Sequence, residues 1–427
     1  MGELEQVGIF RQEKLRKWLL SGLLLRLLVM PFTAHSDLLS IYYRAHLLLD
    51  GRAVKGLGPN MFNLLHAGFL WLMKPLLPYR IMWGAPKLKT FLMLDWLGFV
   101  NQTSVFRALF LFKLPYLAVE VLAVWMLLKL TEPERRTRVL IFWMFNPIVI
   151  FSTYIFGRFD MITVFLLLSS LYLVKSGHND WSLVVLGGAA LLRVYPIVLV
   201  LPFALILESG GWGRARLTAI GFLPLAASIF GGLAQGETGL LKDFASMQHL
   251  SYPLAMKFYL NAEDNLYVFV FLYSLLMMYL FVNHQHGLDN LKRNCFYVFL
   301  LFFATSFFHP HYLIWLVPFA AFFFDEPAQF QSIYRLHIAA WAIYTFQWGR
   351  YLAGYLLAPL SPAFFWSVLS PSEWIDRYYP AIQFIGIGRS VFSATCLAMA
   401  YLVWRRRADL AGPEARIGES EKEAVWR

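Results

Sequence analysis

The sequence predicts an all-α, polytopic membrane protein, and three observations carry that prediction. Apolar residues fill 59% of 427 positions and charged residues only 15%, more apolar surface than one soluble core could hide. They fall in repeated continuous runs of near-spanning length, with no strict alternation, so a chain of helices is expected and a β-barrel is not. Most lysines and arginines cluster at the ends of those runs, where positive-inside topology and snorkelling place them. The net charge of +11 therefore speaks for a bilayer and not for nucleic acid. The two cysteines, Cys295 and Cys396, both lie inside apolar runs and imply no disulfide framework.

The first element is Trp18–Phe32. The residues before it are too long and too mixed in charge for a signal peptide, so it reads as an uncleaved span. Arg11, Lys14, Arg16 and Lys17 precede it and place the N-terminus in the cytoplasm. Residues 34–105 are then external, although their bases outnumber their acids. They contain the stretch Ala34–Gly51 (AHSDLLSIYYRAHLLLDG), a GLGP turn at Gly56–Pro59, and Met61–Leu77, read as an interfacial or shallow re-entrant helix. Phe106–Leu130 runs inward to the basic loop TEPERRTR. Val139–Phe156 returns to an external GRFD turn at Gly157–Asp160, and Met161–Val174 leads back in to KSGHND.

Trp181–Leu207 lies between KSGHND and ESGGWGRAR, two segments that both look cytoplasmic. A single span would put them on opposite sides. Two short legs broken at Arg193-Val194-Tyr195-Pro196 reconcile them. Each leg of about 12 residues reaches only about 18 Å, short of a ~30 Å hydrocarbon core. A broken hairpin of that kind is tolerated where it lines a cavity, which would aim Arg193 into a pocket. Leu217–Leu233 goes out, residues 234–265 form an external loop, and Leu266–Val282 returns. Cys295–Phe308 and Tyr312–Phe324 are short legs around a second break, His309-Pro310-His311. Ile338–Leu356 goes out, residues 357–384 form an aromatic-rich external loop, and Ile385–Val403 ends at the basic Trp404–Arg407. The expectation is one domain over residues 1–407 with about twelve membrane-embedded helices, both termini cytoplasmic, and a charged, disordered cytoplasmic tail over 408–427.

Ionisable groups inside or beside such runs are costly and need a reason. On a helix starting near Ser36, Asp37, Ser40 and Arg44 share one face. A carboxylate there suits a general base, and equally a first-turn acid meeting the helix dipole. Asp160 opens a span and reads either as a cap or as a pocket-rim acid, with Arg158 beside it offering a fork to phosphate. Arg193 and Tyr195 occupy one break, where a cation suits a phosphate leaving group. His309 and His311 occupy the other, where they can bond phosphate or act as acids. Two histidines with one spacer do not make a metal site, and none is predicted. Lys113 and Glu120 lie seven residues apart inside one span and read as structural. Tyr42, Tyr43, Tyr195 and Trp315 offer faces on which a sugar could stack. Walker, dinucleotide, GxSxG and HExxH motifs are all missing, so no cofactor is indicated.

At NPIVIFSTYIFGRFDMITVFLLLSSLYLV, LGGAALLRVYPIVLVLPFALIL and FHPHYLIWLVPFAAFF the chain resembles the GT-C glycosyltransferases. More narrowly it is similar to the bacterial family 87 and polyprenyl-phosphate mannose-dependent mannosyltransferases. There an Asn-Pro span leads to a Gly-Gln-x-Asp-like turn, a broken pair carries Lys or Arg before Tyr-Pro, and a late span carries His-Pro. The resemblance spans roughly residues 20–325 and rests on the order of these elements. It implies a membrane-embedded bundle with an extracytoplasmic site, and a lipid-linked sugar phosphate as donor. It also implies a base in the first external loop, a role that falls on Asp37. The first loop has HSD where some relatives have Asp-x-Asp, and the turn reads GRFD where Gln is usual.

The expected activity is thus inverting transfer of a hexose, mannose favoured, from a polyprenyl-phosphate donor to a hydroxyl of a glycan, lipid or protein. Asp37 would act as base. Arg158, Arg193, His309 and His311 would meet the donor phosphate, and Asp160, Arg44, Tyr195 and Tyr42 the substrates. The competing classes are a transporter or lipid flippase, which also uses broken helices, and a non-catalytic scaffold. A transporter needs its costly charges near mid-membrane, whereas here the acids and arginines gather at the outer ends.

Overall fold

The computed structural model describes residues 2–51, 61–77, 93–234, 248–261, 263–324 and 328–410. The GLGP turn and the tail beyond residue 410 lie outside them. The described chain is nearly all α-helix, with one departure: Lys257–Tyr259 (β1) and Asn265–Tyr267 (β2) pair antiparallel, across the end of the expected external loop and the first residues of the expected span Leu266–Val282.

Helix α1 is Gly2–Val29, stopped before Pro31, and Ser36–Leu49 forms α2. Met61–Met73 (α3), running into a 3₁₀ turn at Lys74–Leu76, and Met93–Val100 (α4) follow as short helices. Val105–Lys129 is α5, and Arg136–Met144 is α6. Asn146-Pro147 then bends the chain by 46° into a second stretch that closes as a π-turn at Phe151–Ile155. That is the expected effect of a proline that cannot continue the hydrogen-bond ladder. Asp160–Lys175 (α7) and Asn179–Leu192 (α8) come next, then a 3₁₀ turn at Tyr195–Leu199, Val200–Leu207 (α9) and Gly211–Ala234 (α10). The rest comprises Val268–Val282 (α11), Leu288–Thr305 (α12), a 3₁₀ turn at Pro310–Trp315, Val317–Phe323 (α13), Ala328–Thr345 (α14), Gly349–Leu357 (α15) and Ala381–Leu410 (α16). The predicted span Ile338–Leu356 is split between α14 and α15 at Gly349, whose φ of +54° favours glycine.

Two of these helices are long and apolar enough to cross a membrane alone, Val105–Lys129 and Ala381–Arg406. The bent pair around Asn146-Pro147 makes a third if taken as one span. Twelve independent crossings are thus not what the described helices present. Many apolar runs form shorter legs, because Pro, Gly and charged residues interrupt them.

Both broken segments fold back on themselves. Arg216 of α10 pairs with Asp180 at the start of α8 (2.7 Å) and with Glu208 just past the end of α9 (3.6 Å), so the two feet of this hairpin meet and Arg193 sits at its tip. The close fit depends on glycine: a Cβ on Gly187 would lie 2.2 Å from the Gly221 carbonyl oxygen of α10. In the second hairpin the rings of Phe296 and Phe323, Phe299 and Phe319, and Phe303 and Trp315 meet in succession, which makes α12 antiparallel to α13.

The bundle therefore has two unlike ends. At one, cations cap helix C-termini: Arg135 donates to the Phe322 carbonyl (2.6 Å), Lys175 to Lys129 (2.6 Å) and Lys292 to Leu130 (3.0 Å). At the other lie both hairpin tips, the start of α2 and the GRFD turn. One apolar cluster centres on α12 and α13, and a second is built from α2 to α5. Phe159 belongs to the second, while Tyr195, Tyr312 and Trp315 belong to the first. The polar residues of the tip end lie along the seam between them.

Candidate active site at the tip end of the bundle

Asp37 stands in the first turn of α2. Capping of that helix falls to His35, whose Nδ1 accepts from the Asp37 amide (3.3 Å), so the carboxylate is free for other partners. It pairs with Arg158 Nη1 at 3.1 Å and lies 3.6 Å from His35 Nδ1. The side chain is 41% exposed, so a substrate can reach it. Burial works to raise this carboxyl, but Arg158 and then His35 outweigh that and hold it well below the usual carboxylate range. The loop is tied down from both sides: the His35 amide donates to the Phe156 carbonyl (3.0 Å), and the His35 ring stacks on Phe156 (4.2 Å) and meets Tyr355 edge-on (5.1 Å). Gly157, at φ +84°, lets the GRFD turn approach α2; a Cβ there would lie 3.0 Å from Leu38.

Asp160, almost fully buried at the start of α7, does not act as a cap. Arg193 grips it with both prongs, Nε to Oδ1 at 2.8 Å and Nη2 to Oδ2 at 2.9 Å. Trp315 Nε1 adds a third donor at 3.2 Å. The Arg193 guanidinium lies over the rings of Phe159 (4.5 Å) and Tyr312 (4.9 Å), and its Nη1 reaches the Tyr312 hydroxyl at 3.4 Å. Its fork is thus occupied, which departs from the expected phosphate-binding role. His311 is 2% exposed, 3.9 Å from Asp160 Oδ2, and neither ring nitrogen makes a hydrogen bond. His309 Nε2 meets the Tyr252 hydroxyl at 3.1 Å, and the two histidine rings stack at 5.8 Å.

Asp37, Arg158, Asp160, Arg193, His309 and His311 are thus brought together from four segments of chain. Arg44 joins them: its charge interacts with those of Arg158 and Asp37. Tyr195 packs among Phe302, Tyr312 and Trp315 and is 4% exposed, a wall residue instead of a sugar platform. Tyr42 departs from its expected place altogether. It is fully buried, stacked on Phe112 at 4.1 Å, with its hydroxyl donating to the Phe112 carbonyl (2.7 Å). Trp315 is likewise fully buried and serves Asp160.

Lys113 and Glu120 do not pair with each other. Glu120 takes both prongs of Arg26 at 2.7 Å, the Trp143 indole at 2.8 Å and the Tyr154 hydroxyl. Lys113 donates to the carbonyls of Met30 (2.8 Å), Tyr154 (2.6 Å) and Thr33. These contacts hold the end of α1 against the π-turn, which sets the spacing of the two loops that carry Asp37 and Arg158. Arg26 and Phe159 escaped the sequence reading. Arg26 was visible as a lone cation in the first apolar run, and Phe159 as the aromatic residue inside GRFD. Among the described residues no three His, Cys, Asp or Glu side chains converge as metal ligands.

Compared with models of protein families, with characterised proteins and with solved structures, the chain finds no match.

Proposed function

We propose that this protein is an inverting, GT-C-like membrane glycosyltransferase that moves a hexose, mannose favoured, from a polyprenyl-phosphate donor to an acceptor hydroxyl at the external face. The observation that carries the reading is Asp37, an ionised and reachable carboxylate held 3.1 Å from Arg158 at the end of the bundle opposite the basic loops. By the positive-inside rule that end is extracytoplasmic. The short legs and hairpins are read as membrane-embedded beside the longer spans, about twelve segments in all, with both termini cytoplasmic.

In this mechanism the polyprenyl tail lies in the bilayer and the phosphate reaches Arg158, with His311 supplying a further nitrogen. The acceptor oxygen attacks the anomeric carbon from the face opposite the phosphate. Its proton passes to Asp37, the new C–O bond forms, the anomeric carbon–phosphate oxygen bond breaks, and polyprenyl phosphate leaves. Arg158 has two tasks: keeping Asp37 ionised and meeting the charge that grows on the leaving group. Arg193 acts at one remove, by fixing Asp160.

A transporter would want unsatisfied polar groups near the middle of the bundle. Glu120 lies deep within α5, but its partners are already supplied from within the chain. This favours the transferase.

The test uses purified protein with polyprenyl-phosphate mannose and, separately, polyprenyl-phosphate glucose. Release of polyprenyl phosphate by the wild type is expected to fall by about 10²–10⁴-fold in Asp37→Asn, the range for removing a general base. Equal turnover in the two proteins would exclude Asp37 from the reaction.

A further inference from the structure

Among the buried polar side chains that the mechanism above does not use, Asn63 is one whose whole amide is unpaired. Asn63 lies on the buried face of α3 with His66, Ala67, Leu70 and Met73. It is 1% exposed, yet neither its Oδ1 nor its Nδ2 has a hydrogen-bond partner. One turn along, His66 shows what a settled polar group looks like on this face: its Nδ1 meets the Phe62 carbonyl at 2.6 Å and its Nε2 the Tyr116 hydroxyl at 2.8 Å. Native interiors seldom leave a buried amide unpaired unless a ligand or ordered water completes it.

The position of Asn63 points to what completes it. Phe62 lies parallel to Phe159 at 5.8 Å, and His66 meets the same ring edge-on at 5.6 Å. Asn63 follows Phe62 directly in the chain and lies on the same buried face of α3 as His66. The guanidiniums of Arg158 and Arg193 lie over the Phe159 ring at 5.4 and 4.5 Å. Two more donors near the candidate site are buried and unpaired, Arg44 Nε and Arg158 Nε. The unmet demand is therefore for a ligand rich in oxygen. An amide donates and accepts at once, which matches vicinal hydroxyl groups. A phosphate alone offers only acceptors and would leave Oδ1 unpaired.

We propose that Asn63, on the helix that packs against α2 and its Arg44, contributes to the subsite that reads the hydroxyl groups of the donor sugar. The identity of the ligand as a hexose rests on the transferase reading; the subsite itself rests on the orphaned amide. A site built to hydrogen-bond a hydroxyl discriminates strongly against ligands that lack it.

The experiment compares binding of polyprenyl-phosphate mannose and of sugar-free polyprenyl phosphate to the purified full chain, wild type and Asn63→Leu. Leucine has the same number of side-chain heavy atoms and suits an apolar helix face. The variant should lose about tenfold or more in affinity for the mannose lipid, keep its affinity for polyprenyl phosphate within about twofold, and unfold at the same or a higher temperature, because an unpaired buried amide has gone. A lower unfolding temperature would mark Asn63 as structural. Equal weakening for both lipids, or no change for either, would overturn the proposal. The measurement needs no turnover, so failure of the Asp37→Asn test would remove the catalytic reading and leave this result standing.

Discussion

At the scale of single residues, carboxylates that look alike in the sequence separate by what surrounds them. Asp160 accepts three donors and is 1% exposed, so it is held in place and shielded. Asp37 has one close cation and is 41% exposed, so it is free to exchange a proton. Because its folded-state pKa is depressed, its contribution to stability is present above the unfolded carboxyl value and is lost as pH falls through the folded one. The acid limb of a pH–activity profile should accordingly lie below the usual carboxyl range near 3.8. Replacing Arg158 with Gln removes the cation that favours the ionised form, leaving burial to push the other way, and should move that limb to higher pH. A limb that stays put in Arg158→Gln would mean that another group governs it.

At the scale of elements, the two hairpins do what straight spans could not. Each brings a polar tip to the same end of the bundle while its feet stay at the other, and each break carries backbone carbonyls that need donors. Arg389 of α16 supplies them for the second hairpin, reaching Phe303 (2.8 Å), Ala304 (3.2 Å) and Ser306 (2.8 Å). The first hairpin relies on close helix contact at Gly187 and Gly221. Gly187→Val puts a side chain where the Gly221 carbonyl and the Pro224 ring already stand. It should destabilise by about 1–3 kcal/mol, the usual range for overpacking, and reduce activity by displacing Arg193 and Asp160. Thermal unfolding in detergent together with turnover would check this; an unchanged midpoint would mean that α8 and α10 are not packed as described.

At the scale of the whole molecule, the basic loops and the polar cluster occupy opposite ends, and function depends on which side of a bilayer each faces. Both native cysteines are fully buried, so a single introduced thiol reports without interference. In intact cells or sealed right-side-out vesicles, Glu263→Cys, beside the β-hairpin, should react with a membrane-impermeant maleimide. Glu132→Cys, in the basic loop, should react only after permeabilisation. Labelling of both from one side would undo the proposed topology.

The all-α class, the helix cores and the two breaks were legible in the sequence because each has a local cause: a continuous apolar run, a proline, a charge that no lipid-facing span would carry. The same was true of the candidates Asp37, Arg158, Asp160, Arg193 and His311, since an ionisable group in an apolar setting announces its own cost. Which of them pair was not legible. Lys113 and Glu120, seven residues apart, pass each other by; Glu120 instead takes Arg26, 94 positions away. Arg193, by sequence a cation suited to phosphate, holds Asp160 instead, while Tyr42 and Trp315, aromatic faces suited to a sugar, are sealed in the core. Asn63 gave no warning, because one asparagine in a helix costs little until packing removes its water. Local chemistry thus settled what each segment would be. Long-range packing alone decided which charges were satisfied and which were left waiting, because that balance depends on neighbours that sequence distance does not encode.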